Sequence, residues 1–429
     1  MEFKFNNYKD LNNISLKVKI SRKTYNAILI VKNDILLLRV DMTNDIEYWR
    51  KADEDFNLLT GNLLYKNIKI TFLNCYCYGQ QSTGLKEITS ATTDYRIDRV
   101  LFGKKLTKQE YKNINKYEVE YNNIDCFTND KPYSMNKKTL EYRDEIASYT
   151  INLNEYFITV NFLCNVIHTS TSLSIVRNTS VEFVHSKKIN ILQMFENIYK
   201  FRNFLMILLK KGIIVHKQYV YFGNEKYQIL DCRNDNIVKI GDDLEENLNH
   251  RCLKIESITN LDEIYKNYTN NYDKLFPVIE LYYNVTQFEV PNLTRFVNAT
   301  TMLEYYSRTF DYSSALILTQ SKNPKKLKTN DPEYVDMIKS LLNNVNIIYN
   351  YNIAEIDKVS ENIKNARVYY IHYKNKITTK KLSYNEQFCY SFFIQDVILL
   401  NIYKLLNLDI SKYNYISFLD FYYDKKDML

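Results

Sequence analysis

The sequence predicts an α+β protein. Residues 1–287 form an antiparallel β-rich part with accessory helices, and residues 288–429 form an all-α helical bundle. Three observations carry this reading. The first half holds short apolar runs with alternating polar residues, separated by turn residues. At Ser186 the period becomes helical, reverts to strand character over 216–232, and stays helical from 260. The stretch "QFEVPNL" (287–292 and the residue after) then breaks the pattern ahead of four further helical runs.

The strands come in order. "NAILIVKNDILLLRV" (26–40) is two β-branched runs around a Lys-Asn-Asp turn, a hairpin signal. "NIKITFLNCYCYG" (67–79) alternates and stops at Gly79, and "DYRIDRVLFGKKL" (94–106) breaks at Gly103. "KYEVEYNNIDCF" (116–127), "EYFITVNFLCNVI" (155–167) and "TSVEFVHS" (179–186) follow. Their spacing suggests an antiparallel sheet, as a sandwich or an open barrel. Accessory helices are expected at about 186–211, capped by Ser186 and ending near Gly212, and at about 260–280. Between them "HKQYVYFGNEKYQILDC" (216–232) is a second hairpin that turns at Gly223-Asn224.

Four helical runs follow the break: 293–310, 331–346, 353–373 and 383–408. The second opens on Asp-Pro-Glu, a good helix start. The fourth is apolar enough to sit at the centre of a bundle.

Composition sets limits. Apolar residues make up 45% and charged residues 25%, which supports a sizeable core and excludes global disorder. Seven glycines and five prolines leave no flexible linker. The net charge of +7 is compatible with a polyanionic partner. The opening "MEFKFNNYKDLNN" does not read as a signal peptide, and "FLMILLKKGIIV" (204–215) is too short to span a bilayer. A soluble, cytoplasmic protein with no membrane partner is expected. Seven scattered cysteines fit reduced thiols better than a disulfide framework, and Cys75 and Cys77 point to one face of a strand.

Most motifs fail on chemistry. "GQQSTGLK" (79–86) has the glycine spacing of a phosphate loop but places Leu85-Lys86 where lysine and then a hydroxyl are needed. "GDDLEENLNH" (241–250) gathers acids without metal-loop spacing and reads as a solvated turn and helix start. No GxSxG, HExxH or CxxCH is present. His168, His185 and His216 read as packed or surface histidines in strand stretches.

"NARVYYIHY" (365–373) remains, with Arg367 and His372. Metal-free RNA cleavage needs a proton-transfer group near neutral pH and a permanent cation on the phosphate. Histidine suits the first task and arginine the second. RNA supplies its own 2′-hydroxyl nucleophile. Residues five apart on an ideal helix lie about 140° from one another. The two side chains therefore meet only where the helix ends or bends, or across a dimer. "YKNKITTKK" (373–381) marks a helix end with four lysines. Tyr369 and Tyr373 offer stacking faces for bases, with Lys374 and Lys376 for phosphates, while Tyr370 reads as core. The competing reading is a packed histidine and a solvated arginine.

Segment 293–408 resembles the ApeA-like HEPN domain. It has an early helix with "LEYY" (303–306), a helical pair, the Arg-x4-His motif within "ARVYYIHY" (366–373), and a long apolar last helix. "ITFLNCYCYG" (70–79), "YRIDRVLFG" (95–103), "VEYNNIDCF" (119–127) and "INILQMFENIYKFRNFLMIL" (189–208) are similar to the N-terminal domain found with it.

The resemblance implies a bacterial anti-phage protein acting by abortive infection. The HEPN domain would be a toxin-like endoribonuclease, dimeric through that domain and free of metal or other cofactor. The N-terminal domain would sense a phage-derived trigger or regulatory partner. RNA, tRNA included, is the implied substrate. Arg367 would stabilise the phosphorane, His372 would do acid–base work, and the products would carry a 2′,3′-cyclic phosphate. Glu304 matches a family acidic position, where it either orients Arg367 or stays a helix-surface acid. The family usually has a polar residue directly after the arginine. Here Val368 stands there, with Asn365 as a nearby substitute. That departure keeps an alternative open: a weak or inactive HEPN-like RNA-binding and dimerisation module with a sensor domain.

Overall fold

The computed structural model describes residues 7–50, 54–65, 67–84, 88–122, 124, 127–128, 133–136, 139–142, 145–168, 173–233, 253–287, 290–321, 330–372 and 381–410, without the side chains of 133–136, 139–142, 145–146, 164–168, 173–178, 287 and 372. The chain packs as two compact units that interleave in sequence. Unit 1 is Met1–Asn122, Pro132–Ile198 and Val215–Asn236, and unit 2 is Asn123–Lys131, Tyr199–Ile214 and Ile237–Leu429.

Unit 1 holds the strands β1 (Ile14–Ile20), β2 (Lys23–Lys32), β3 (Ile35–Asp41), β4 (Phe56–Leu63), β5 (Lys69–Thr83), β6 (Ser90–Phe102), β7 (Ile114–Asn122), β8 (Tyr133–Asn136), β9 (Thr139–Tyr142), β10 (Glu145–Asn152), β11 (Tyr156–His168), β12 (Leu173–Ile189), β13 (Ile214–Phe222) and β14 (Glu225–Asp231). Two single-turn helices, α1 (Ile46–Trp49) and α2 (Lys108–Tyr111), join them. The predicted first hairpin is β2–β3, and Asn33 and Asp34 both take positive φ at its turn.

The pairings close a barrel. β6 bonds β5 on one side and β3 on the other, and the order β6–β3–β2–β1–β4–β5 returns to β6. Six strands of the sheet therefore close into a barrel. The sheet continues from β6 through β14, β13, β7, β12 and β11 to β10. Closure leaves no edge within these six strands, while the extension ends at β10. β1 shows how the pattern builds it. Leu16, Val18 and Ile20 point into the core with Leu29, Leu38, Phe72 and Tyr95, while Ser15, Lys17 and Lys19 face out.

Two strand ends differ from expectation. β5 runs past Gly79 to Thr83, because a bulge takes up Tyr78 as an extra residue and pairing with β6 resumes at Gly79 opposite Asp94. The glycine-spaced stretch is thus strand through Thr83, and Leu85 and Lys86 lie outside the described residues. β12 extends through Ile189, so Ser186 is no helix cap; its N–H and hydroxyl donate to Glu155 O. Asn190 does the capping, its side chain accepting from Gln193 N at 2.9 Å, and α3 runs Ile191–Leu209. Cys75 and Cys77 both face the barrel core. The acidic stretch 241–250 and the side chain of His168 lie outside the described residues.

His185 is packed between the rings of Tyr117 and Tyr156, and its Nε2 lies 3.1 Å from the Tyr117 hydroxyl. Burial lowers its pKa from 6.5 to about 4. Between those two pH values the unfolded chain binds a proton that the folded chain refuses, so stability falls as the pH falls. We expect a loss of up to roughly 3 kcal/mol across that window from this group. Chemical unfolding of wild type and His185→Gln at pH values across it checks this, with a shallower slope expected in the variant.

Unit 2 is helical. Residues Tyr199–Leu209 of α3 belong to it, with α4 (Leu261–Gln287), α5 (Asn292–Phe310), α6 (Tyr312–Ser321), α7 (Tyr334–Tyr349), α8 (Ile353–His372) and α9 (Tyr384–Leu405). α6 is one helix more than the sequence pattern suggests, set off from α5 by Asp311 at φ −129°. α7 starts at Tyr334, three residues later than expected, because Asp331 and Glu333 are occupied outside the helix: Asp331 binds Arg308, and Glu333 N donates to Thr319.

α9 is the predicted central helix. Ser383 and Glu386 form its capping box, and Phe393, Ile394, Ile398 and Ile402 are buried. It is long and apolar enough to cross a membrane by composition alone, and 78% of its apolar window is buried, as in the core helix of a soluble protein. α5 packs against α9 and α4 and also meets α7 and α8. That arrangement brings Glu304, Tyr334 and Arg367 together.

Candidate functional site

α5 supplies Glu304 and, one turn later, Arg308. Glu304 accepts from both neighbouring guanidinium groups. Arg308 Nε donates to its Oε1 at 3.1 Å, and Arg367 Nη2 donates to its Oε2. Arg308 is held further by Asp331, at 2.6 Å. Glu304 and Arg367 thus form an ion pair that α5 and α8 hold between them.

α7 adds a residue that sequence reasoning missed. The guanidinium carbon of Arg367 lies 4.2 Å over the ring of Tyr334. The Tyr334 hydroxyl donates to Thr300 O at 3.1 Å, and burial pushes its pKa well above the ordinary value, so it stays neutral. A cation on a neutral, partly desolvated aromatic face gains about 0.5–2 kcal/mol. The Arg367 plane is thus fixed by a ring beneath and a carboxylate at its edge. Its Nε is buried with no hydrogen-bond partner among the described residues.

α8 carries the remaining predicted residues. It runs unbroken to residue 372, so the helix does not bend between Arg367 and His372. Ideal geometry sets the two positions about 140° apart around the axis and about 7.5 Å apart along it. The His372 side chain lies outside the described residues. Asn365 and Val368, three apart, share a helix face, and residue 372 continues that face four positions on.

Tyr369 is half-buried and meets Tyr370 edge-on, with ring centroids 4.9 Å apart. Tyr370 is structural: its hydroxyl donates to Leu382 O at 2.9 Å and accepts from Leu382 N and Gln387 Nε2. It thereby ties α8 to the start of α9 across the intervening segment. Tyr373, Lys374 and Lys376 lie outside the described residues. Among the described residues no group of three His, Cys, Asp or Glu side chains is placed to hold a metal ion.

The spacing of Glu304 and Arg308 is a helix-pair signal readable in sequence. Tyr334 gave none, since it stands 33 positions from Arg367 and meets it only through the packing of α7 on α8.

A β-rich N-terminal domain followed by a helical bundle with an Arg-x4-His helix defines the class of protein: a β-rich domain joined to a HEPN-type domain. The family model described as ApeA N-terminal domain 1 matches residues 32–268, and that described as Apea-like HEPN matches residues 297–411. The chain belongs to the ApeA-like HEPN family of defence proteins. HEPN domains are typically nucleases, and they commonly dimerise and bind RNA. No curated relative and no solved structure matches the chain.

Proposed function

We propose that this protein is a metal-independent endoribonuclease that defends a bacterium against phage by abortive infection. Residues 288–429 act as the cytoplasmic effector and residues 1–287 as the sensor of a phage-derived trigger. The observation that carries the reading is the fixed guanidinium of Arg367 on Tyr334 and Glu304. A preset cation needs no reorganisation when charge builds on a phosphate. Glu304 divides its charge between Arg308 and Arg367, so Arg367 keeps positive character toward an incoming phosphate.

Two chains facing one another through the helical domain supply the convergence that a single straight helix denies to Arg367 and His372. In that cleft His372 accepts the proton of the RNA 2′-hydroxyl. The 2′-oxygen forms a bond to phosphorus, the bond from phosphorus to the 5′-oxygen breaks, and the leaving oxygen takes up a proton. The products carry a 2′,3′-cyclic phosphate and a 5′-hydroxyl. Arg367 stabilises the phosphorane, and Tyr369, Tyr373, Lys374 and Lys376 hold flanking nucleotides.

One observation favours a second reading, in which the helical domain binds RNA and dimerises without cutting. Val368 places an apolar side chain directly after Arg367. Phage challenge separates the two. Cells carrying wild type are expected to survive as a culture, with protection lost in Arg367→Ala and His372→Ala. Equal protection by all three proteins selects the binding module.

A further inference from the structure

We propose that the outer face of β1 and β4 in the barrel is a binding surface for a single nucleic-acid strand, apart from the helical site and independent of its activity.

The argument starts from register. Ser15, Lys17 and Lys19 alternate with the buried Leu16, Val18 and Ile20, so they form one outward column on β1. Lys17 stands between Asn26 of β2 and Asn62 of β4, and Lys19 between Thr24 and Thr60. Lys69 lies opposite Asn62 on β5, and Arg22 is exposed in the turn after β1. The cross-strand neighbours of both lysines are thus amides and hydroxyls, with no carboxylate.

Several other lysines of unit 1 are paired: Lys9 with Asp34, Lys23 with Asp45, Lys116 with Glu182, and Lys226 with Glu118. Lys17, Lys19, Arg22 and Lys69 have no ion-pair partner among the described residues. Both lysines of β1 thus stand on this face without a paired carboxylate.

An apolar groove opens at the end of the column. It holds about 540 Å³ and is lined by Ser15, Leu63, Leu64, Tyr65 and Ile68 at the β4–β5 turn. Leu64 is 57% exposed and Tyr65 64% exposed. An unpaired base carries a flat face that fits such a groove, and stacking on an aromatic ring is indifferent to sequence. From Ser15 to Lys19 the column rises about 13 Å. A strand with one base in the groove thus lays its following phosphates over Lys17 and Lys19. The amides of Asn26 and Asn62 add donors and acceptors along the backbone. A membrane would meet the groove tip and the lysines but has no use for the polar ladder between them.

The test is binding of a short fluorescein-labelled oligothymidine strand to the full chain, read by fluorescence anisotropy over a salt series. DNA lacks the 2′-hydroxyl, so binding is read without cleavage, and failure here is separate from failure of the ribonuclease reading. Wild type is expected to bind with affinity that falls as salt rises. Lys17→Glu/Lys19→Glu should weaken binding more than ten-fold, and the loss of two phosphate contacts should flatten the log–log salt slope by about 1.4. Tyr65→Ala should weaken it about five-fold or more. All replaced residues are exposed, and unchanged thermal midpoints will show intact folding.

Three results would overturn the proposal. One is no binding by wild type. Another is full binding by both barrel variants together with loss in Arg367→Ala. The third is binding to phosphatidylglycerol-containing vesicles in place of the strand, weakened by the same substitutions.

Discussion

Arg367→Lys is expected to lose at least about a hundred-fold in RNA cleavage, although it keeps the positive charge. The reason lies in what holds the side chain. A guanidinium is flat, so it lies against the Tyr334 ring while its edge donates to Glu304. An ammonium is a compact, strongly hydrated charge without a plane or a fork. On the shorter reach of lysine it would pair with Glu304 and leave the ring uncovered. The loss should fall on kcat, since the proposed role of the guanidinium is to act on charge that develops during the reaction. Single-turnover cleavage separates kcat from binding. A lysine variant that cleaves within a few-fold of wild type would mean that the geometry at Tyr334 and Glu304 is unimportant.

Gly61→Ala is expected to have the largest effect on stability. Gly61 sits on β4 opposite Val18 of β1 and Ile70 of β5. A methyl group built there would lie 2.6 Å from the backbone oxygen of Lys17. The obstacle is backbone in the middle of a closed barrel, so β1 and β4 must part for the methyl to fit. Overpacking of this kind costs about 3 kcal/mol. For a unit of this size that corresponds to a melting point lower by roughly 6–12 °C. Differential scanning fluorimetry checks it, and an unchanged midpoint would contradict the tight β1–β4 pairing. Because Lys17 and Lys19 stand on the same strand, the variant should also bind the nucleic-acid strand more weakly.

Local chemistry made much of this fold readable. Asn33-Asp34 marks the β2–β3 turn because both residues tolerate positive φ. Ser383 and Glu386 mark the start of α9 because they satisfy each other's backbone donors. Barrel closure was not readable, since it rests on β6 pairing with β5 on one side and β3 on the other, across long sequence separations. α6 was missed because Asp311 interrupts an otherwise continuous helical run without glycine or proline. Ser186 misled because a hydroxyl before a helical period looks the same whether it caps the helix or bonds a neighbouring strand.

The candidate site divides in the same way. Arg367, His372 and Glu304 stood out through the motif and its resemblance, and the Glu304–Arg367 pair is formed. Tyr334 did not stand out, because nothing near it in sequence announces an aromatic floor for a guanidinium 33 positions away. Contacts made only by helix packing leave no one-dimensional trace. Arg308 shows the other side, since its four-residue spacing from Glu304 is visible once the helix is assigned.

The central claim is that Arg367 and His372 cut RNA without metal. The most direct measurement is RNA cleavage in EDTA by wild type, Arg367→Ala and His372→Ala, with total tRNA and unstructured RNA as substrates and the product ends mapped. The account predicts cleavage by wild type that survives chelation, 2′,3′-cyclic phosphate and 5′-hydroxyl ends, and loss of activity in both variants. Cleavage that persists in either variant, or that requires a divalent ion, would contradict it.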